Sequence, residues 1–475
     1  MADPVRKDID RRSFLKTSTV IGAGLALGPH ILKGEEGGAA GQKNNEINVA
    51  IIGCGQQGRV LMSSAMKDCM PGVRFKAVCD ISPYNRKYMA NLLTKVHKHD
   101  VTDHQYEDYK EMLDKEKDLQ ALIVATPDWV HHEHAIAGMK AGLNVYCEKE
   151  MSNDLEKARQ MVKTSQETKK LLQIGHQRRS HPRYIFAYEK LMKESKILGT
   201  ITQAYAQWNR STANSQPLGI APNAAPPADI VEKYGYANMV EYLNWRWYRK
   251  YGGGPISDLG AHQIDIFGWF LNATPTNVIV SGGTDYWSKQ KDCTYQWYDN
   301  VRAIYEFPTP EGPVRALYQV LTTTSALGYF EAFMGTDGTL NISEAPSRVR
   351  LYAEGFLQAD AAGDHPWKKY ETKGYIKKPE APPPAAPAAD AGGMSDVLKL
   401  YKASQPPVQY LFNQSDNTTY HGPHLKNFFD AIRGQAKLNC PGEIAFESAV
   451  QVLKCNQLLD AKQAMGTFAE ADFKA

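Results

Sequence analysis

In residues 256–271, Ile-Ser-Asp-Leu-Gly-Ala-His-Gln-Ile-Asp-Ile-Phe-Gly-Trp-Phe-Leu, three titratable groups interrupt an apolar stretch: Asp258, His262 and Asp265, at i, i+4 and i+7. On a helix that spacing places them within about 60° of arc on one side. Such a row costs free energy unless its members are paired or used. Two uses fit the spacing. One is proton transfer, with the imidazole as base and a carboxylate to orient it. The other is a satisfied buried ion pair, or a helix edge facing water. Ser257, after the turn Gly252-Gly253-Gly254-Pro255, is the predicted N-cap, which puts Asp258 where the helix dipole favours a carboxylate.

A second constellation is Gly53-Cys54-Gly55-Gln56-Gln57-Gly58, which follows the β-branched run Ile47-Asn48-Val49-Ala50-Ile51-Ile52 and opens a helical stretch. This is G-x-G-x-x-G in a strand-turn-helix setting. The first glycine permits the turn, the second lets backbone approach a pyrophosphate, and the third lets helix pack on strand. Asp80 ends the run Val73–Cys79 and lies 22 positions after Gly58. An acid there accepts from a ribose 2′-hydroxyl and repels a 2′-phosphate, so NAD is expected over NADP.

The elements that position these groups follow from periodicity. Residues 119–125 read as a third strand ending at Thr126-Pro127, a helix covers about 130–141, and a strand covers 144–147. This alternation predicts a doubly wound parallel sheet, a Rossmann domain over residues 45–175. His131-His132-Glu133-His134 has no H-x-x-x-H pair to set two imidazoles on one helical face, so no metal is expected and a helix start is. Beyond residue 175, aromatic strands at 201–208, 277–282, 301–307 and 314–322 predict an α+β domain over 176–475 with a large, mainly antiparallel sheet. Residues 378–393 are a Pro/Ala stretch, read as an exposed loop insertion.

Flat rings beside guanidinium and amide groups suit a sugar, whose C–H faces stack while its hydroxyls need partners. Trp208-Asn209-Arg210 and Asn244-Trp245-Arg246-Trp247-Tyr248 offer that chemistry, with Trp208, Trp245 and Arg246 as candidate substrate contacts. Gln177, Arg178, His181 and Tyr184 follow a strand and either line the cleft or form a solvated loop.

Composition narrows the partners. Of 475 residues 43% are hydrophobic and 23% charged, which is ordinary for folded domains. Lys+Arg 55 against Asp+Glu 52 leaves +3, too little for a nucleic-acid footprint. Cys54, Cys79 and Cys147 fall at predicted strand ends as small apolar fillers, and Cys69, Cys293, Cys440 and Cys455 are too far apart for metal spacing. At the N-terminus, Asp10-Arg11-Arg12-Ser13-Phe14-Leu15-Lys16 precedes a Gly/Ala-rich run at 17–27. This resembles a twin-arginine export signal over residues 1–42. The run of about eleven residues is too short to span a bilayer, so stable membrane insertion is not expected.

Together, Gly53 to Gly58, Asp80, Thr126-Pro127 with His131, Glu148-Lys149 and the segment Gly-Gly-Gly…Asp258-x-x-x-His262-x-x-Asp265 resemble the glucose-fructose oxidoreductase and inositol dehydrogenase family (Gfo/Idh/MocA). The tail His424-Leu425-Lys426-Asn427-Phe428-Phe429-Asp430-Ala431-Ile432-Arg433 is similar to that family's closing helix. The resemblance implies that Thr126, Pro127, His131, Glu148, Lys149 and Gln177 attend the cofactor. It also implies that Lys149, Asp258 and His262 meet at the nicotinamide, with His262 taking a hydroxyl proton. One departure stands out: the family's usual Glu-Lys-Pro is Glu148-Lys149-Glu150 here. Proline can adopt the cis bond that aims the lysine, so a different aim for Lys149 is an expectation. A lysine at this point also differs from the family's NAD-dependent N-acetylgalactosaminidases, which tend to lack Glu-Lys-Pro.

The implied function is an exported, periplasmic NAD-dependent oxidoreductase. It acts on a secondary hydroxyl or keto group of a sugar or glycoside, holds its cofactor tightly, uses the twin-arginine machinery and forms a homo-oligomer. The alternatives are a redox-assisted glycoside hydrolase and a non-catalytic sugar-binding protein on the same fold.

Overall fold

The computed structural model describes residues 46–221, 224–355, 357, 363–379, 407–412 and 419–475. The twin-arginine segment and nearly all of the Pro/Ala stretch lie outside the described residues. Six parallel strands, β1 Ile47–Ile52, β2 Val73–Cys79, β3 Gln105–Tyr106, β4 Ala121–Val124, β5 Asn144–Cys147 and β6 Leu172–Ile174, run in the order β3-β2-β1-β4-β5-β6. Every residue of β4 is buried and all but Asn48 in β1 are, because helices cover both faces of a parallel sheet. The order reverses between β1 and β4, which opens a crevice at the carboxyl ends of those strands.

The second sheet has ten strands: β7 Ile201–Asn209, β8 Asn277–Gly283, β9 Asn300–Thr309, β10 Gly312–Leu321, β11 Tyr329–Gly335, β12 Gly338–Ile342, β13 Arg350–Ala353, β14 Ile376–Lys377, β15 Val408–Phe412 and β16 Met465–Thr467. All its pairings are antiparallel except β7 with β10. Along β9 buried and less buried residues alternate, so Val301, Ala303, Tyr305 and Phe307 face the core while Arg302, Ile304 and Pro308 face outward.

Helix Ala261–Leu271 lies under this sheet, with Phe267 against Phe307 and Phe333 at ring separations of 6.4 and 6.3 Å. The chain then returns to the first sheet. Leu425, Phe428 and Phe429 of helix Gly422–Ile432 join Leu61, Met62 and Ala65 of helix Gln56–Asp68 in a core beneath β1 and β2. A smaller aromatic cluster joins Tyr236, Tyr248, Tyr251, Trp287 and Tyr295, with Trp129 and Trp245 at its margin. No helix among the described residues is long and apolar enough to cross a membrane.

Candidate active site

A cleft of about 1380 Å³ runs from the glycine turn after β1 to the start of helix Ala261–Leu271. The three glycines divide their work by sterics. Gly53 has φ +94°, and a Cβ there would meet the Ala125 carbonyl oxygen at 2.5 Å. A Cβ on Gly58 would lie 1.9 Å from the Gly53 carbonyl oxygen, so helix and turn touch only because residue 58 is glycine. Gly55 faces open space within 4 Å at the N-cap of helix Gln56–Asp68, which leaves room for a phosphate against free backbone N–H groups. Gln56 and Gln57 line the same wall. Cys54 does not: its side chain is buried, and its backbone N–H donates to Asp80 Oδ2 at 2.7 Å.

Asp80 lines the cleft and accepts from Ser82 N–H through Oδ1 at 2.7 Å. Burial raises its pKa against the pull of these N–H donors and Arg86. The glycine turn, the open helix start and a carboxylate after β2 fit a dinucleotide.

Thr126, Pro127, Glu148 and Gln177 also line the cleft. His131 lies behind it, with Nε2 2.6 Å from the Thr126 carbonyl oxygen and Nδ1 2.7 Å from that of Glu150. Burial keeps the ring neutral, so it donates to one of these two oxygens, and it does not line the cleft. Against expectation, the Lys149–Glu150 peptide is cis although proline is absent. Lys149 Nζ donates to the Asp258 carbonyl oxygen and lies 3.5 Å from Asp258 Oδ1.

Asp258 gathers cations. Arg246 Nε donates to Oδ1 at 3.0 Å, and Arg210 lies 3.7 Å from Oδ2. Burial would raise this carboxyl, yet Lys149, Arg246 and Arg210 outweigh it and hold the pKa well below the usual carboxylate range. His262 is buried beside Trp208, ring centres 5.9 Å apart, with no hydrogen-bond partner at Nδ1. Burial first, then Lys149 and Arg178, push its pKa well below the usual value, so it is a neutral imidazole at physiological pH.

Several predicted features move. The helix begins before Ser257, which is not its cap: residues 256–260 are wound as a π-turn, and the Ser257 hydroxyl is buried without a partner. Asp265 does not share the cleft. It accepts from Arg179 Nε and Nη2 at 2.8 to 2.9 Å and from Ser448 at 2.8 Å, the paired reading of its spacing. Arg178 is fully buried in ion pairs with Glu331 and, at 3.2 Å, Glu344, and Tyr184 donates to Glu331 at 2.7 Å. Neither lines the cleft, because two buried carboxylates, Glu331 of β11 and Glu344 just beyond β12, claim them. Arg178 instead backs Trp208, 5.4 Å from its ring centre. His181 is buried and accepts from Arg183 N–H.

Trp208, Trp245 and Arg246 do line the cleft. So do Arg210, Asp128, Glu344 and His421, which sequence reasoning did not single out as site residues. Arg210 carried a signal, following Trp208 at the end of a strand. His421 carried none, since only the return of the chain brings it 3.1 Å from Gln57.

Comparison with known proteins agrees with this fold. The profile described as "Oxidoreductase family, NAD-binding Rossmann fold" matches residues 47–176, and the "GFO/IDH/MocA C-terminal domain" matches residues 230–341. The chain belongs to the Gfo/Idh/MocA oxidoreductase family and carries its NAD-binding Rossmann domain. It is 24% identical over 269 residues to the 2,7-anhydro-N-acetylneuraminate hydratase of Mediterraneibacter gnavus, covering 55% of this chain and 61% of that one. It is 25% identical over 225 residues to the 1,5-anhydro-D-fructose reductase of Ensifer adhaerens, covering 47% and 56%. The chain thus spans about three fifths of the length of the curated relatives it matches. Among solved structures, the WlbA dehydrogenase of Bordetella pertussis, in complex with NADH and UDP-GlcNAcA, shares the fold: TM-score 0.59 at 16% identity, over 89% of this chain and 99% of that one.

Proposed function

We propose that the protein is an NAD-dependent oxidoreductase acting on a secondary hydroxyl or keto group of a sugar or glycoside. The observation that carries this reading is one cleft holding a dinucleotide cradle at one end and, at the other, a neutral, unpartnered imidazole beside a lysine-aspartate pair. Bound nicotinamide would supply a hydride acceptor at the ring. Gly53, Gly55 and Gly58 shape the cradle, and Asp80 is placed for the adenosine ribose. Trp208 and Trp245 line the end where a sugar would lie, each with an arginine against its ring.

In the oxidising direction His262 accepts the hydroxyl proton as the C–H bond gives up its hydride, leaving a ketone; the reverse steps reduce it. Lys149 places positive charge where negative charge builds on the oxygen. Asp258 aims Lys149 and orients the hydroxyl.

Export is part of the proposal and rests on Arg11-Arg12 and the short apolar run that follows. Where no free nicotinamide pool exists, the nucleotide must be held tightly and recycled in place. The test is denaturation of the purified protein and identification of the nucleotide released, followed by absorbance at the reduced-nicotinamide band on addition of sugars. Released NAD or NADH with a keto-sugar product supports the reading. A freed aglycone without net redox change would show the hydrolase instead, and absence of any nicotinamide nucleotide would refute the redox reading.

A further inference from the structure

At the substrate end of the cleft three cations share a single carboxylate. Asp258 stands within 3.0 to 3.7 Å of Arg246, Lys149 and Arg210, one negative charge against three positive ones. Neighbouring acids do not reach these cations. Glu344 turns to Arg178 at 3.2 Å, which Glu331 also holds, and burial pushes Asp128 up to about 7. Glu148 sits against Gly175 and accepts from the Tyr146 hydroxyl at 3.3 Å.

The two arginines are also held in place. Arg246 lies 4.3 Å from the centre of the Trp245 ring, and Arg210 lies 5.5 Å from that of Trp208. Among the described residues, Asp258 is the only carboxylate in ion-pair reach of either guanidinium, and their side chains remain 43% and 36% exposed. A guanidinium presents a planar fork of donors that matches an oxyanion, and Arg246 commits only Nε to Asp258.

We propose that the substrate sugar carries an anionic substituent, a carboxylate or a phosphate or sulfate ester, seated against Arg210 and Arg246 while its reacting hydroxyl faces His262. This rests on the oxidoreductase reading above and adds the substrate class. A neutral sugar would leave the open fork to water, whereas an anion gains charge-assisted hydrogen bonds in a partly desolvated site.

The test uses the nucleotide-loaded protein and matched probes: D-glucuronate against D-glucose, D-galacturonate against D-galactose, and D-glucose 6-phosphate and 6-sulfate against D-glucose. Affinity is read from nicotinamide fluorescence and, where turnover occurs, from kcat/KM. At least one anionic probe is expected to exceed its neutral partner by about 10-fold or more. That ratio should contract in Arg246→Gln and in Arg210→Gln and be partly kept in Arg246→Lys. Which probe gains separates a carboxylate from an ester. Equal or undetectable responses to both members of every pair overturn the proposal, as does a preference that survives both glutamine substitutions. A protein that releases no nicotinamide nucleotide overturns the oxidoreductase reading itself, a separate result.

Discussion

At the residue scale, the proposed chemistry turns on keeping one imidazole neutral and one carboxylate ionised within the same cleft. His262 is buried and faces Lys149 and Arg178, both of which disfavour a second proton on the ring. A base works when unprotonated, so a pKa below the ordinary 6.5 leaves it competent throughout the neutral range. On the proposed mechanism kcat/KM should stay flat as pH falls from 8 to 6.5; a decline setting in above pH 6.5 would assign the base elsewhere. His262→Ala should lower turnover by about 10²-fold or more. The same variant should retain nucleotide, because the glycine turn is built from other residues. Turnover near wild type would remove His262 from the mechanism. Asp80→Ala carries a double cost on this proposal: its carboxylate holds Cys54 and Ser82 N–H groups and is also the group assigned to the ribose. Weaker NAD binding and less discrimination against NADP are expected, together with a stability loss of about 1 to 3 kcal/mol in urea titration. The glycines and Asp80 were legible because backbone sterics and a fixed offset leave few residue types that serve. Arg178 and Tyr184 were not, because Glu331 of β11 and Glu344, just beyond β12, lie more than 140 positions away.

At the element scale, the segment that opens as a π-turn and continues as helix Ala261–Leu271 decides which polar groups enter the cleft. The spacing of Asp258, His262 and Asp265 was readable, but 60° of arc is enough to carry a side chain from one neighbour to another. Asp265 falls on the side met by Arg179 and helix Gly442–Asp460, where Ser448 also donates to it. Sequence periodicity gives the arc and not the neighbour. Gly260 sits between Asp258 and His262, and a Cβ there would lie 2.8 Å from Cε1 of the buried Tyr318. Gly260→Ala should therefore cost about 1 to 3 kcal/mol of stability and displace the proton acceptor from Asp258, lowering kcat. Gly268→Ala, farther along the same helix, meets nothing nearer than 3.6 Å. It should stabilise by about 0.5 to 1 kcal/mol through helix propensity. The pair separates crowding at the π-turn from a general effect of alanine; equal urea midpoints for the two variants would contradict the steric account.

At the scale of the whole molecule, the positions of β1, β2, β4, β5 and β7 to β10 and both sheet types followed from β-branched runs and alternation, since each face of a sheet imposes its own period; the short β3 and β6 and the strands β11 to β16 were not located. What periodicity could not show is that helix Gly422–Ile432 returns to pack beneath β1 and β2, a contact spanning most of the chain. That closed packing buries many histidines, and their titration sets an acid limit on stability. Burial lowers His134 and His424 to about 3 and His176 and His181 to about 4, from an ordinary 6.5. Their stabilising contribution is complete above pH 6.5 and is lost as pH falls toward 4, because the unfolded chain takes up protons that the folded one refuses. His131 and His262 add to that side. Burial has the opposite consequence for carboxyls. Asp128 is raised to about 7 and Glu150 to about 8, and Asp80, Glu331 and Glu447 are raised as well. Their contribution is complete at low pH and is lost as pH rises through the folded values. Each surplus proton on one state is worth about 1.4 kcal/mol per pH unit. Near pH 5 the histidines outnumber the carboxyls, so stability climbs with pH; above about 6.5 only the carboxyls still titrate, so it declines. Thermal unfolding of the full chain should therefore peak near pH 6.5, with a lower midpoint at both pH 5 and pH 8. A midpoint that rose steadily to pH 8 would mean that Asp128 and Glu150 stay ionised in the fold.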